Sequence, residues 1–193
     1  MKSAWTKAAA AALLAATLGV GGIALRANAS TDVIGGGVAH DCAVRALAGE
    51  SSAQALDVCN LAIENEMMSR SDEAKTLVNR SVIFLRRGQL ERSRLDLMTA
   101  EKLEPTLAEV FVNRGALYIH LHRYQDALDE INRGIAMNPS EPEKAYYNRG
   151  LAYEMLDNPK AAYLDYRKAS QLNPKWPDPV KAMGRFQVKA AGS

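Results

Sequence analysis

The sequence predicts an all-α chain assembled from stacked helical hairpins, and three observations carry that expectation. The hydrophobic fraction is 48% but the aromatic fraction only 6%; Ala and Leu, both good helix formers, supply much of the difference. A short phrase, Asn-Arg followed by a small residue, occurs at Val78–Ser81, Val112–Gly115 and Tyr147–Gly150, in steps of 34 and then 35 residues. Each copy sits in a segment with two helix-length halves around a short polar turn, closing at Pro105, Pro139 or Pro174, where a helix cannot continue. One copy would be enough for a catalytic phrase. A fixed period belongs instead to a structural unit that the chain stacks.

The first element, residues 1–29, is expected to be a signal peptide. It has Lys2 and Lys7 in a short polar head, an apolar run from Ala8 to Leu25, and Ala27-Asn28-Ala29 as a small-x-small cleavage signature, the layout of an export leader. The alternative is an uncleaved membrane anchor, but Ala and Gly dilute the run and a good cleavage site follows it. Removal after Ala29 takes away Lys2, Lys7 and Arg26, lowering 24 basic residues to 21 against 22 acidic ones. The remaining chain is near −1. It carries no basic field of the kind that nucleic acid requires, and no stable membrane span is expected after cleavage. Export places the protein outside the cytosol, in the periplasm if the cell is a Gram-negative bacterium.

Residues 30–39 contain "STDVIGGGVA" and read as a flexible Gly-rich arm. Residues 40–73 read as a degenerate helical hairpin. Its two cysteines, Cys42 and Cys59, are the only ones in the chain, and a turn at Gly49-Glu50-Ser51 falls near their midpoint. Residues equidistant from the turn of an antiparallel hairpin lie opposite one another, so an oxidising compartment favours a disulfide. Metal binding lacks further ligands at suitable spacing, and a thiol-active pair more often has the C-x-x-C arrangement. The residues before Cys42 are unlike the apolar stretch that precedes a lipid-anchored cysteine.

Three full units come next, over 74–107, 108–142 and 143–175. In the second, Phe111, Gly115, Tyr118, Ala127, Ile131 and Pro139 occupy a pattern that the third repeats with Tyr146, Gly150, Tyr153, Ala162, Tyr166 and Pro174. The first offers Leu77, Ser81, Phe84, Ser93, Leu97 and Pro105. This pattern resembles the tetratricopeptide repeat family, whose unit is a 34-residue helix-turn-helix; Arg stands in all copies where the family usually has Leu before the Gly. The resemblance implies a right-handed superhelical solenoid in which small residues let helices approach and large ones fill the space between hairpins. A single hairpin cannot bury its apolar face alone, so neighbours share a core. Residues 176–193 are expected to close the stack with a capping helix, because Val180, Met183, Phe186 and Ala190 recur near helical spacing, with Trp176 beneath it.

No catalytic constellation emerges. His120 and His122 are two apart and point to different helix faces; His40-Asp41-Cys42 are merely adjacent; and no phosphate loop, zinc signature or nucleophile elbow occurs. Neither an enzyme, a metal nor a cofactor is expected. The resemblance implies instead a protein or peptide partner held in a concave groove lined by the first helices of the hairpins. It assigns Asn79, Asn113 and Asn148 as a ladder of amides toward the partner's backbone, since an amide both donates and accepts. Val78, Val112 and Tyr147, with Val82, Ala116 and Leu151, are expected as an apolar floor, and Lys75 and Lys144 as added charge. Glu109 stands where a clamp for a terminal carboxylate would need a third cation. The other reading keeps the phrase architectural: Asn bonds within its helix or to water, and Arg satisfies a neighbouring repeat's acid. The alternative functional classes are a structural part of an envelope complex, using convex or terminal surfaces, and a thiol-active protein.

Overall fold

The structure, a computed structural model, describes residues 4–7 and 37–189. In chain order the elements are β1 (Ala4–Lys7), α1 (Val38–Leu47), α2 (Ala53–Asn65), α3 (Arg70–Arg86), α4 (Leu90–Leu103), α5 (Ala108–His120), α6 (Tyr124–Ala136), α7 (Pro142–Met155), α8 (Pro159–Leu172), α9 (Pro177–Met183) and β2 (Phe186–Lys189). Local chemistry marks the boundaries. Ser52, Ser69 and Asn158 accept hydrogen bonds from Ala55, Asp72 and Ala161 at the starts of α2, α3 and α8, satisfying amides that have no partner in the first helical turn. Proline opens α7, α8 and α9, where its missing N–H costs nothing.

The turns inside the hairpins share one device. Gly49, Gly88, His122 and Asp157 all have positive φ, between 55° and 79°, just after the first helix of each pair. That left-handed residue reverses the chain and closes the helix end. Gly88 has nothing within 4 Å of where a Cβ would stand, so a substitution there feels backbone strain alone. Gly88→Ala is therefore expected to lower stability by about 1–2 kcal/mol, whereas His122→Gly should relieve strain of the same origin. Urea unfolding of the two variants measures both.

The helices stack as hairpins that share their cores. Cys42, Ala46, Leu56 and Cys59 of the first hairpin pack with Ile83 and Phe84 of α3. Leu77, Val78 and Leu97 pack with Val110, Phe111 and Leu117 of α5, and Val112, Ile119 and Ile131 join Tyr147, Leu151 and Tyr166 of the last repeat. Every cluster thus spans at least two units, as a quasi-one-dimensional stack requires. Successive first helices touch each other (α1 with α3, α3 with α5, α5 with α7), while successive second helices make no comparable contact. The first helices therefore form the tighter, inner layer. Cys42 and Cys59 are bonded, S–S 2.05 Å, across the first hairpin.

The ends depart from expectation. Helix α1 begins at Val38, inside the segment read as a flexible arm; its start is tied down by a hydrogen bond from the Ala39 amide to Glu66 at 2.8 Å. The capping helix stops at Met183 rather than running through Ala190. Gly184 and Arg185 form a turn, and Phe186–Lys189 pairs antiparallel with Ala4–Lys7. Phe186 is buried as expected, but from a strand, and Val180 is exposed. Trp176 does lie beneath the cap, its ring centroid 4.8 Å from that of Tyr147. Ala27, Ala29, Ala190 and residues 30–36 lie outside the described residues. No described helix is long and apolar enough to cross a membrane.

Candidate binding surface

The repeated phrase divides its three residues between different neighbours. The small residue faces the hairpin's own second helix: a Cβ on Gly115 would lie 2.3 Å from Ile131 Cγ1 and 3.1 Å from the Ala127 carbonyl oxygen, and one on Gly150 2.8 Å from the Tyr166 ring. The arginine ties two second helices together. Arg80 donates to both carboxylate oxygens of Asp96 at 2.9 and 2.8 Å and to Asn60 Oδ1 at 2.9 Å. Arg149 does the same to Asp165, at 2.7 and 2.8 Å, and to Asn132 at 2.8 Å. Arg114 bridges Glu130 and Glu101. Each Arg thus holds an acid 16 residues ahead, on its own second helix, and an acceptor on the preceding one. The sequence alternative in which Arg satisfies a neighbouring repeat's acid describes Arg114.

With small residue and Arg committed to the second helices, Asn is left for the remaining face. It lies two residues before the small one, about 200° round the helix, on the side away from its own second helix. Asn79, Asn113 and Asn148 therefore share one face of the inner layer. They do not stand open: each is at most 1% exposed, all three are engaged, and Asn113 Nδ2 donates to the Glu109 carbonyl at 2.9 Å. The apolar floor is also corrected. Val78, Val82, Val112, Ala116, Tyr147 and Leu151 are buried core residues. Val112 fills the space over Gly134, where a Cβ would meet it at 2.7 Å, and Tyr147 is packed between Tyr166 and Trp176. These side chains are consumed by contacts between helices, which sequence spacing alone did not distinguish from a groove lining.

The charged candidates separate too. Lys144 pairs with Glu141 at 2.6 Å, and Lys75 is half-buried on α3. Glu109, at the place of a clamp cation, accepts from both the amide and hydroxyl of Ser140 at 2.8 Å and so ties the start of α5 to the loop that leads into α7. Seven residues beyond each Asn, on the same face, stand Arg86, His120 and Met155. The sequence reading missed this stripe, although its 34- and 35-residue spacing is that of the Asn ladder. Arg86 donates to the Ala46 carbonyl, Met155 is exposed, and burial together with the His122 charge pushes the His120 pKa down. His122 itself lies in the turn, its Nδ1 2.7 Å from the Tyr124 hydroxyl, so the two histidines do not converge.

Elsewhere the electrostatics serve packing. Burial pushes the Tyr166 hydroxyl pKa up, and that hydroxyl donates to Glu154 at 2.7 Å, where Arg185 also binds. Burial likewise raises Asp96, against the opposing effect of Arg80. Among the described residues no group of three His, Cys, Asp or Glu converges as a metal site would require.

Comparison with known proteins places this geometry. Residues 143–175 match the family described as Tetratricopeptide repeat. The crystal structure of a thermophilic TPR protein of Thermus thermophilus superposes with a TM-score of 0.63 at 18% identity, over 77% of this chain and 79% of that one. The first TPR of Spaghetti (RPAP3), bound to the HSP90 peptide SRMEEVD, superposes at 0.53 with 22% identity, over 59% of this chain and 90% of that one. In sequence, the mitochondrial import receptor subunit TOM70 of Rattus norvegicus is 31% identical over 128 residues, 61% of this chain and 19% of the relative. The chain spans less than a fifth of the length of the curated relatives it matches. Residues 143–175 thus match a tetratricopeptide repeat, and the chain has the all-α fold of tetratricopeptide repeat solenoids.

Proposed function

We propose that this chain is a non-enzymatic, exported interaction module that holds an extended segment of another polypeptide along the inner layer of α3, α5 and α7. The observation that carries this reading is the placement of Asn79, Asn113 and Asn148: one amide per repeat, on one face of the helices that neighbour one another, at steps matching the repeat itself. Amides so spaced suit a partner's peptide groups without reading its side chains. Because all three are engaged here, a partner must exchange with the contacts they now make. The leader-like N-terminus and the Cys42–Cys59 bond support an oxidising compartment, the periplasm if the cell is Gram-negative.

A second reading, a structural part docking by its outer surface, draws support from exposed Leu61, Leu95, Leu164 and Leu172 on the second helices. Co-purification of partners with the wild type and with the Asn79→Ala, Asn113→Ala, Asn148→Ala triple variant separates the two. The inner-face reading expects partners to be lost from the triple variant while circular dichroism stays helical. Full retention of partners by a folded triple variant moves the function to the outer surface.

A further inference from the structure

We propose a second binding site, away from the inner layer: a cavity in the outer seam between α2 and α4 that takes a large apolar side chain next to a carboxylate, on an acidic segment of a partner polypeptide. The cavity has a volume of about 400 Å³ and is walled by Leu56, Phe84 and Leu95. That is within the range of about 300–1,000 Å³ typical of ligand pockets, which are mostly apolar with few polar groups. Leu95 is 53% exposed, a large apolar side chain on the solvent side of α4 beside the exposed Glu91 and Arg92. The floor is closed by Arg80, whose donors are committed to Asp96 and Asn60.

The charge that remains lies on the rim. Arg92 makes no ion pair among the described residues; its guanidinium stands over the Phe84 ring, 5.7 Å from the centroid. A guanidinium stacked this way keeps its N–H edge for a planar carboxylate. Asp57, on α2, is the other rim charge. The two rims therefore differ in sign, and a partner's acidic group is directed to the α4 side. Neither Arg92 nor Leu95 is a landmark of the repeat: Asp126 and Asp129 stand at the corresponding places one unit later. The seam above Arg114 is instead occupied by Arg133, 4.0 Å over Phe111. In the third repeat Leu164 stands at the place of Leu95 but Ala161 at that of Arg92, so the apolar side chain recurs there without the cation.

The test uses the full chain and two probes of one shape, 3-phenylpropionate and its neutral amide 3-phenylpropanamide, followed by methyl NMR. Saturable shifts at the Leu56 and Leu95 methyls are expected, with the carboxylate binding about threefold more tightly, as an exposed charge pair allows. Arg92→Gln should erase the difference between the probes, and Leu95→Asp should abolish binding of both. Both side chains are exposed, so unchanged thermal midpoints are expected and exclude misfolding as the cause. No shift at Leu56 and Leu95, or a carboxylate preference that survives Arg92→Gln, overturns the proposal.

Discussion

Gly115→Leu is expected to be among the most damaging single changes in the chain, lowering stability by about 3 kcal/mol or more. Overpacking typically costs about 1–3 kcal/mol, and this site has less room than usual. Even a bare Cβ would stand 2.3 Å from Ile131 Cγ1 and 3.1 Å from a backbone oxygen, that of Ala127. A side chain can rotate away, but the carbonyl moves only if α5 and α6 separate. Ile131 is fully buried in the core that joins the second and third repeats, so the separation reaches the next unit. Gly150→Leu should be severe for the same reason, though its nearest neighbour is the Tyr166 ring rather than backbone. Urea unfolding measures both, and Ile131→Ala should recover part of the Gly115→Leu loss by giving the new side chain space.

Arg114→Ala is expected to cost about 2–4 kcal/mol, from the range for breaking a buried ion pair reduced for the partial exposure of the acids. Arg114 serves Glu101 on α4 and Glu130 on α6 together; without it, two carboxylates near one another lose their common cation. The effect has a pH signature. Hydrogen bonding to Arg114 holds Glu101 below its ordinary pKa of 4.5, against the opposing effect of burial. A depressed folded-state pKa contributes stability that is present above the ordinary value and is lost as pH falls through the folded one. The gap between wild type and Arg114→Ala should therefore narrow as pH drops below 4.5, whereas the Gly115→Leu gap should not. Thermal midpoints across that range distinguish the loss of an ion pair from the loss of packing.

The fold was legible where its causes are local and repeated. Gly115 with Ala127, Gly150 with Ala162, and the closing prolines each appear at the spacing of the unit, so every copy checks the others. The arginine partners were legible in principle as well, since Asp96, Glu130 and Asp165 each lie 16 residues after the Arg of the phrase. That signal joins two helices and is invisible to a reading made one helix at a time. At the C-terminus, Val180, Met183 and Phe186 kept a helical rhythm, but Gly184 ends the helix and Phe186–Lys189 runs on as a strand, paired with Ala4–Lys7 of the segment read as a leader. The burial of Val112 and Tyr147 depends on Gly134, Tyr166 and Trp176, which approach only after folding. Helical spacing gave Asn148 its face; it could not give its exposure.

The division of the phrase, with Arg and the small residue holding the stack and Asn serving a partner, is tested most directly by crosslinking in intact cells. A photoreactive residue placed at Met155, seven beyond Asn148 on the inner face, is compared with one at Leu164 on the outer face of α8; both positions are exposed. The account predicts a discrete protein adduct from position 155 that disappears when Asn79, Asn113 and Asn148 are changed to Ala, and none of comparable yield from position 164. An adduct from position 164 alone, or one from position 155 that persists in the triple variant, would contradict it.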